Sequence, residues 1–152
     1  MKNKVKNLAR EIRDKLKPFC KRIEIAGSIR RHEKNPGDID VVLIPKDRVK
    51  LEEKMKTLGK FIQGGEKEST WKVQNVNVEL YYTNEDEWGA ELLAYSGKKG
   101  SNIGLRMVAK RKGFKLTQHG LYNRKTGRKV AGKTEEEIYA ALGRPYKEPE
   151  DR

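Results

Sequence analysis

The chain has 152 residues, enough for one domain or two small lobes and for a core that folds without staples. Its 35 Lys and Arg against 22 Asp and Glu leave a net charge of +13, and the natural partner of that excess is a polyanion. A single cysteine, Cys20, excludes an internal disulfide, and His32 and His119 are too few to complete a zinc site around it; no apolar run approaches the ~20 residues of a membrane span and the first residues lack a signal-peptide core, so a soluble, intracellular, cytoplasmic protein is expected.

Val5, Leu8, Ala9, Ile12 and Leu16 recur at helical spacing, with Pro18 after them, and predict one amphipathic helix. Residues 21–26 and 38–44 read as strands, with Cys20 packed at the start of the first. The polar segment GSIRRHEKNPG joins them, and Pro36-Gly37 sets a turn near its end. Residues 47–58 predict a second helix stopped by Gly59. Further strands follow around Phe61-Ile62, Trp71-Val73 and Val76-Val78-Leu80, with Gly64-Gly65 as a turn. In the last of these, Val76, Val78 and Leu80 alternate with Asn77, Glu79 and Tyr81, so one face is core and Glu79 lies on the other.

From Asn84 the pattern turns helical. Trp88, Leu92 and Leu93 mark one amphipathic stretch, Ile103, Leu105, Met107 and Val108 the next, and Tyr95-Ser96-Gly97 divides them. Residues 114–131 read as short strands around Lys125-Thr126-Gly127. Thr134 and Glu137 then have capping-box spacing ahead of a last helix stopped by Gly143 and Pro145, and the Pro149–Arg152 tail is expected to be only partly ordered. Trp71 and Trp88 are expected in the core, and His32 and His119 in ordinary hydrogen bonds.

Asp38 and Asp40 carry the most chemical information. They stand where the apolar run Val41-Val42-Leu43-Ile44 begins, and side chains two apart point to one face of a strand. Two converging carboxylates suit a hard cation, Mg²⁺ or Mn²⁺. Ahead of them Gly27-Ser28 ends a strand and opens a short basic segment with Arg30 and Arg31. Such a turn leaves backbone N–H groups free to hold phosphate. The pattern reads as a phosphate cradle beside a metal site.

With Gly27-Ser28, Arg30-Arg31, Pro36-Gly37, Asp38-Ile39-Asp40 and Tyr95-Ser96-Gly97 in view, the chain resembles the family X DNA polymerases, the group of DNA polymerase beta. The Gly-Ser and Gly-Asp-x-Asp elements alone mark the wider nucleotidyltransferase superfamily. Asn102, Arg106, Lys112-Gly113-Phe114, Glu136 to Tyr139 and the closing Lys147 to Arg152 resemble the family's nucleotide-selecting domain in order and spacing. The resemblance covers residues 20–152 and shows no counterpart of the family's lyase domain.

The resemblance implies an α+β fold: a nucleotidyltransferase palm with a mixed or antiparallel sheet and helices over residues 1–83, and a small α+β nucleotide-selecting lobe over 84–152. It implies a DNA polymerase that extends a primer 3′-hydroxyl by a two-metal mechanism, with two Mg²⁺ ions, or Mn²⁺, on Asp38, Asp40 and Glu79. Family members carry an Asp at the position of Glu79, so this chain is one methylene longer there. Gly27, Ser28, Arg31, Gly37, Tyr95, Ser96, Gly97 and Asn102 would bind the nucleotide, with Ser28 and Arg31 on the β- and γ-phosphates and a single ring, Tyr95, at the sugar. Arg106, Lys98, Lys99, Lys110 and Arg111 would meet DNA. The implied partners are primer-template or gapped duplex and deoxynucleoside triphosphates, the implied state a monomer, and the economy of the chain suits a virus or a compact microbial genome. A template-independent or small-substrate nucleotidyltransferase and a non-catalytic basic DNA-binding module are the competing readings.

Overall fold

The computed structural model describes residues 4–152, and these divide into two compact units, one ending at Thr83 and one beginning at Asn84. In chain order the first unit contains α1 (Lys4–Leu16), β1 (Cys20–Ile25), the four-residue helical turn α2 (Gly27–Arg30), β2 (Ile39–Pro45), α3 (Arg48–Leu58), β3 (Lys60–Gly64), β4 (Glu68–Val73) and β5 (Val76–Tyr82). The second contains α4 (Trp88–Ser96), α5 (Lys99–Arg111), β6 (Phe114–Thr117), β7 (Gly120–Asn123), β8 (Lys129–Ala131) and α6 (Glu135–Ala141).

The sheet of the first unit runs β1-β2-β5-β4-β3. Its pairs are antiparallel except β2 with β5, which run parallel. Alternation along these strands sends Ile39, Val41, Leu43, Val78 and Leu80 to one face. There they pack with Leu8, Ile12 and Leu16 of α1 and Leu51 and Met55 of α3 around the fully buried Trp71. Cys20 is the buried first residue of β1, and burial raises its thiol to about 11, which makes it a packing residue rather than a nucleophile. Asp47 caps α3 by accepting from the Lys50 backbone N–H at 3.2 Å. The backbone turns extended at Gly59, which caps that helix, and a Cβ there would lie 2.3 Å from the Lys72 carbonyl oxygen. On β4 and β5, Trp71 Nε1 donates to Ser69 Oγ (2.8 Å), and Tyr82 Oη, 2.7 Å from Ser69 Oγ, donates to Glu52 (2.8 Å). The buried hydroxyls are thereby satisfied.

The second unit packs α4, α5 and α6 with the antiparallel sheet β6-β7-β8 around Leu93, Ala109, Leu121, Ile138, Tyr139 and Leu142. Thr134 Oγ1 accepts from the Glu137 N–H at 3.1 Å, the cap its spacing predicts, and Gly143 at φ 67° ends the last helix. The tail departs from expectation. Pro149–Asp151 form a 3₁₀ turn, and Arg152, only 8 % exposed, donates through Nη1 to buried Glu135 at 2.7 Å and sits near the rings of Tyr139 and Tyr146. The four residues looked like a polar end; a buried carboxylate reached by a buried guanidinium holds them down.

Candidate active site

Parallel pairing of β2 with β5 sets Asp40 directly opposite Glu79. Their strand neighbours face the core, so both carboxylates emerge on the other side of the sheet. Tyr81, two residues beyond Glu79 on the same strand, shares that face and is 8 % exposed. Its hydroxyl donates to Glu79 Oε2 at 2.5 Å and approaches Asp40 Oδ1 at 3.4 Å. Asp38 is exposed in a bend one residue ahead of β2, so the strand begins at Ile39 and not at Asp38. Burial and the neighbouring charge of Glu79 push the Asp40 carboxyl up to about 6, with Asp38 adding to the rise and Tyr81 and Arg31 opposing it.

Of the residues expected to hold phosphate, Gly27 and Arg31 lie near this carboxylate. The Ala26 N–H donates to the Asp40 carbonyl at 2.7 Å, which ties the end of β1 to β2. Gly27 follows at φ 62°, where a Cβ would meet Asp40 Oδ2 at 2.3 Å. The glycine answers the turn, as the sequence suggests, and also leaves room for the carboxylate. Ser28 is half-buried in the α2 turn. Arg31 Nε donates to Glu33 at 2.9 Å, a partner that sequence reasoning missed, and Arg30 lies 4.0 Å from Glu24. Gly37 is exposed, and a Cβ on it would meet nothing within 4 Å.

In the second unit the residues expected to bind the nucleotide cluster at the α4–α5 junction. Tyr95 is half-buried, Ser96 is buried, and Gly97 caps α4. Asn102 Nδ2 donates to the Ala94 carbonyl at 2.9 Å and more distantly to that of Gly97 at 3.4 Å, so this amide ties the two helices together. A Cβ at Gly97 would meet Asn102 Oδ1 at 2.2 Å. Arg106, Lys98, Lys99, Lys110 and Arg111 are all exposed. Leu105 and Val108 pack on the core, but Ile103 and Met107 do not: they are 46 % and 50 % exposed on the same surface as these cations. Of the four apolar residues that mark this amphipathic stretch, these two lie off the packed face, because a 3.6-residue repeat cannot bring both sets to one side.

Among the described residues, a group of three whose possible metal-ligating atoms all lie within 4.8 Å of one another is Glu87, Glu91 and His119, at a different place from Asp38, Asp40 and Glu79. His119 Nδ1 pairs with Glu87, the ordinary hydrogen bond expected of it. Burial works to raise the Glu87 carboxyl, but hydrogen bonds from His119 and Asn84 hold it below its usual value.

Facing carboxylates on one sheet, beside a glycine turn and an arginine, define a nucleotidyltransferase-type palm. Comparison with known proteins carries this further. Residues 1–89 match the model of the DNA polymerase beta palm and residues 91–152 that of the DNA polymerase beta thumb. The chain therefore belongs to the DNA polymerase beta family, the family X DNA polymerases. It is similar to the DNA polymerase/3′-5′ exonuclease PolX of Bacillus subtilis, 27% identical over 95% of this chain and 27% of that protein. It is similar also to the repair DNA polymerase X of African swine fever virus (isolate Warthog/Namibia), 28% identical over 90% of this chain and 84% of the viral one. DNA polymerase IV of Saccharomyces cerevisiae is 42% identical over 44% of the chain and 11% of its own length. The chain thus spans about a quarter of the Bacillus relative and most of the viral one.

Members of this family use divalent metals. The oxygen donors of Asp40 and Glu79 fit such an ion. They are hard ligands set opposite one another and partly desolvated; burial first and the charge of Glu79 second push the Asp40 carboxyl up, and an adjacent cation would favour its ionised form. No helix among the described residues is long and apolar enough to cross a membrane.

Proposed function

We propose that the chain is a DNA-directed DNA polymerase that fills short gaps in DNA repair, with residues 1–83 as its catalytic palm and 84–152 as its nucleotide-selecting domain. The register that sets Asp40 against Glu79 on the coreless face of the sheet is the observation that carries the reading. Asp38, Asp40 and Glu79 hold two Mg²⁺ ions, which Mn²⁺ can replace. Such a pair, when bound, sharpens the primer hydroxyl as a nucleophile and neutralises the triphosphate and the departing pyrophosphate.

The chain's own residues position the rest. The primer 3′-oxygen forms a bond to the α-phosphorus while the bond to the β-phosphate oxygen breaks. Ser28 and the α2 turn offer hydrogen-bond donors to the β- and γ-phosphates, Gly37 adds a backbone N–H, and Arg31 exchanges its Glu33 contact for phosphate, where its planar fork supplies paired donors. Tyr95, Ser96, Gly97 and Asn102 seat the sugar and base. Arg106 reads the template side, and Lys98, Lys99, Lys110 and Arg111 bind the DNA backbone, exposed as that task requires. The enzyme works as an intracellular monomer on primer-template or gapped duplex.

The test is extension of a primer across a one-nucleotide gap with Mg²⁺ or Mn²⁺. The parent incorporates the templated nucleotide and Asp40→Asn does not. Retained incorporation in Asp40→Asn would overturn the site, and equal extension of a single strand without template would favour a template-independent transferase.

A further inference from the structure

Glu79 has a longer side chain than the aspartate the family places there, and a longer side chain needs something to aim it. A glutamate has one more rotatable bond than an aspartate, and a half-buried carboxylate pressed against another carries a repulsive incentive to swing away. Tyr81 stands where it can prevent this. It follows Glu79 by two residues, so the pleat keeps both on one face. Its ring is buried, which fixes the hydroxyl in space. That hydroxyl donates to Oε2 of Glu79 at 2.5 Å while standing 3.4 Å from Oδ1 of Asp40, and each of these carboxylates has a second oxygen.

We infer that Tyr81 is a positioning residue for the metal site, whose hydroxyl clamps one oxygen of Glu79 and thereby holds its other oxygen, with Asp40, ready for a divalent cation. The inference rests on the assignment of Asp40 and Glu79 as metal ligands. The pair Glu79 and Tyr81 then acts as one unit in place of a shorter carboxylate. The geometry makes that unit specific, since an aspartate in the same place, one methylene shorter, falls roughly 1.5 Å short of the hydroxyl and opens the contact to about 4 Å, beyond a hydrogen bond. A phenylalanine keeps the buried ring and removes only the donor.

The experiment measures Mn²⁺ binding to the whole chain by loss of the free-ion electron paramagnetic resonance signal, alongside single-gap incorporation as Mn²⁺ is varied. Tyr81→Phe is expected to weaken Mn²⁺ binding about tenfold, in line with one charge-assisted hydrogen bond. The Mn²⁺ concentration for half-maximal incorporation should rise by the same factor, so that the deficit shrinks as the ion is raised. Glu79→Asp should also weaken binding, although it restores the family's residue. Adding Tyr81→Phe to Glu79→Asp should then change the affinity less than twofold, because the clamp is already open. Asp40→Asn separates this inference from the reading beneath it. If Asp40→Asn binds Mn²⁺ and incorporates nucleotide as the parent does, the metal site itself is misplaced. If Asp40→Asn loses Mn²⁺ while Tyr81→Phe, folded by circular dichroism, binds it like the parent, the clamp alone is overturned. Equal effects of Tyr81→Phe with Glu79 and with Glu79→Asp would also overturn it, as would parent affinity in Glu79→Asp, a result that stands even if Tyr81→Phe fails to fold.

Discussion

The two units solve opposite problems with charge. The first gathers like charges, Asp40 against Glu79 with Asp38 nearby, and partly buries the facing pair, and burial together with the Glu79 charge raises the Asp40 carboxyl. The second spreads cations, Lys98, Lys99, Arg106, Lys110 and Arg111, over exposed positions on and beside one helix where water screens each of them. A concentrated site stands or falls with single atoms. A dispersed one degrades by degrees.

This contrast gives graded expectations. The largest effect is on activity: Asp40→Asn should lower gap filling by about a thousandfold or more, roughly 4 kcal/mol of transition-state stabilisation, as measured by single-turnover incorporation. Next comes a test of whether the second unit also holds one indispensable charge. Arg152→Ala leaves Glu135 buried without its guanidinium and should cost about 3 kcal/mol in denaturant unfolding; a loss below ~0.5 kcal/mol would show the tail to be dispensable.

The third expectation is a gain in stability. The Asp40 carboxyl ionises near 3.8 when unfolded and at about 6 when folded. Below 3.8 it is neutral in both states. Between these values the unfolded chain has released a proton that the folded one keeps, so folding weakens as pH rises, and above 6 the penalty is complete. Without metal, Asp40→Asn should therefore stabilise the protein by up to about 3 kcal/mol at pH 7, with no gain at pH 3.5, as thermal melts across pH would show. The smallest effect per residue belongs to the dispersed charge. Replacing Lys99, Lys110 and Arg111 together by Ala should weaken gapped-DNA binding about tenfold and flatten the salt dependence by roughly two to three in log–log slope, read by fluorescence anisotropy. An unchanged slope would mean that α5 does not face the DNA backbone.

Much of this was legible in the sequence, for reasons that particular residues make plain. Alternation in Val76–Tyr82 announced which face Glu79 takes, and Thr134 with Glu137 announced a cap, because both signals depend only on near neighbours. What stayed hidden depended on distant ones. Nothing local tells that β5 lies between β2 and β4 and runs parallel to the first, although that pairing alone brings Asp40 to Glu79. Tyr81 was visible as the polar-face residue beyond Glu79, but its partners come from that pairing. Arg152 looked like solvent until Glu135 was placed beneath it.

The position of β5 also sets when the site can come into being. Residues 20–45 make up the β1–β2 hairpin with its glycine turn and two of the three carboxylates, and a ribosome delivers them before β5. The last carboxylate is 39 positions further on and belongs to a strand that must slot between β2 and β4. Closing so long a loop before its contacts repay the entropy is slow. A nascent or truncated chain that stops short of Val76 therefore presents Asp40 with no opposite charge-bearing neighbour on β5. On the proposed reading, the carboxylates that would hold a metal ion are brought together only once β5 is in the sheet.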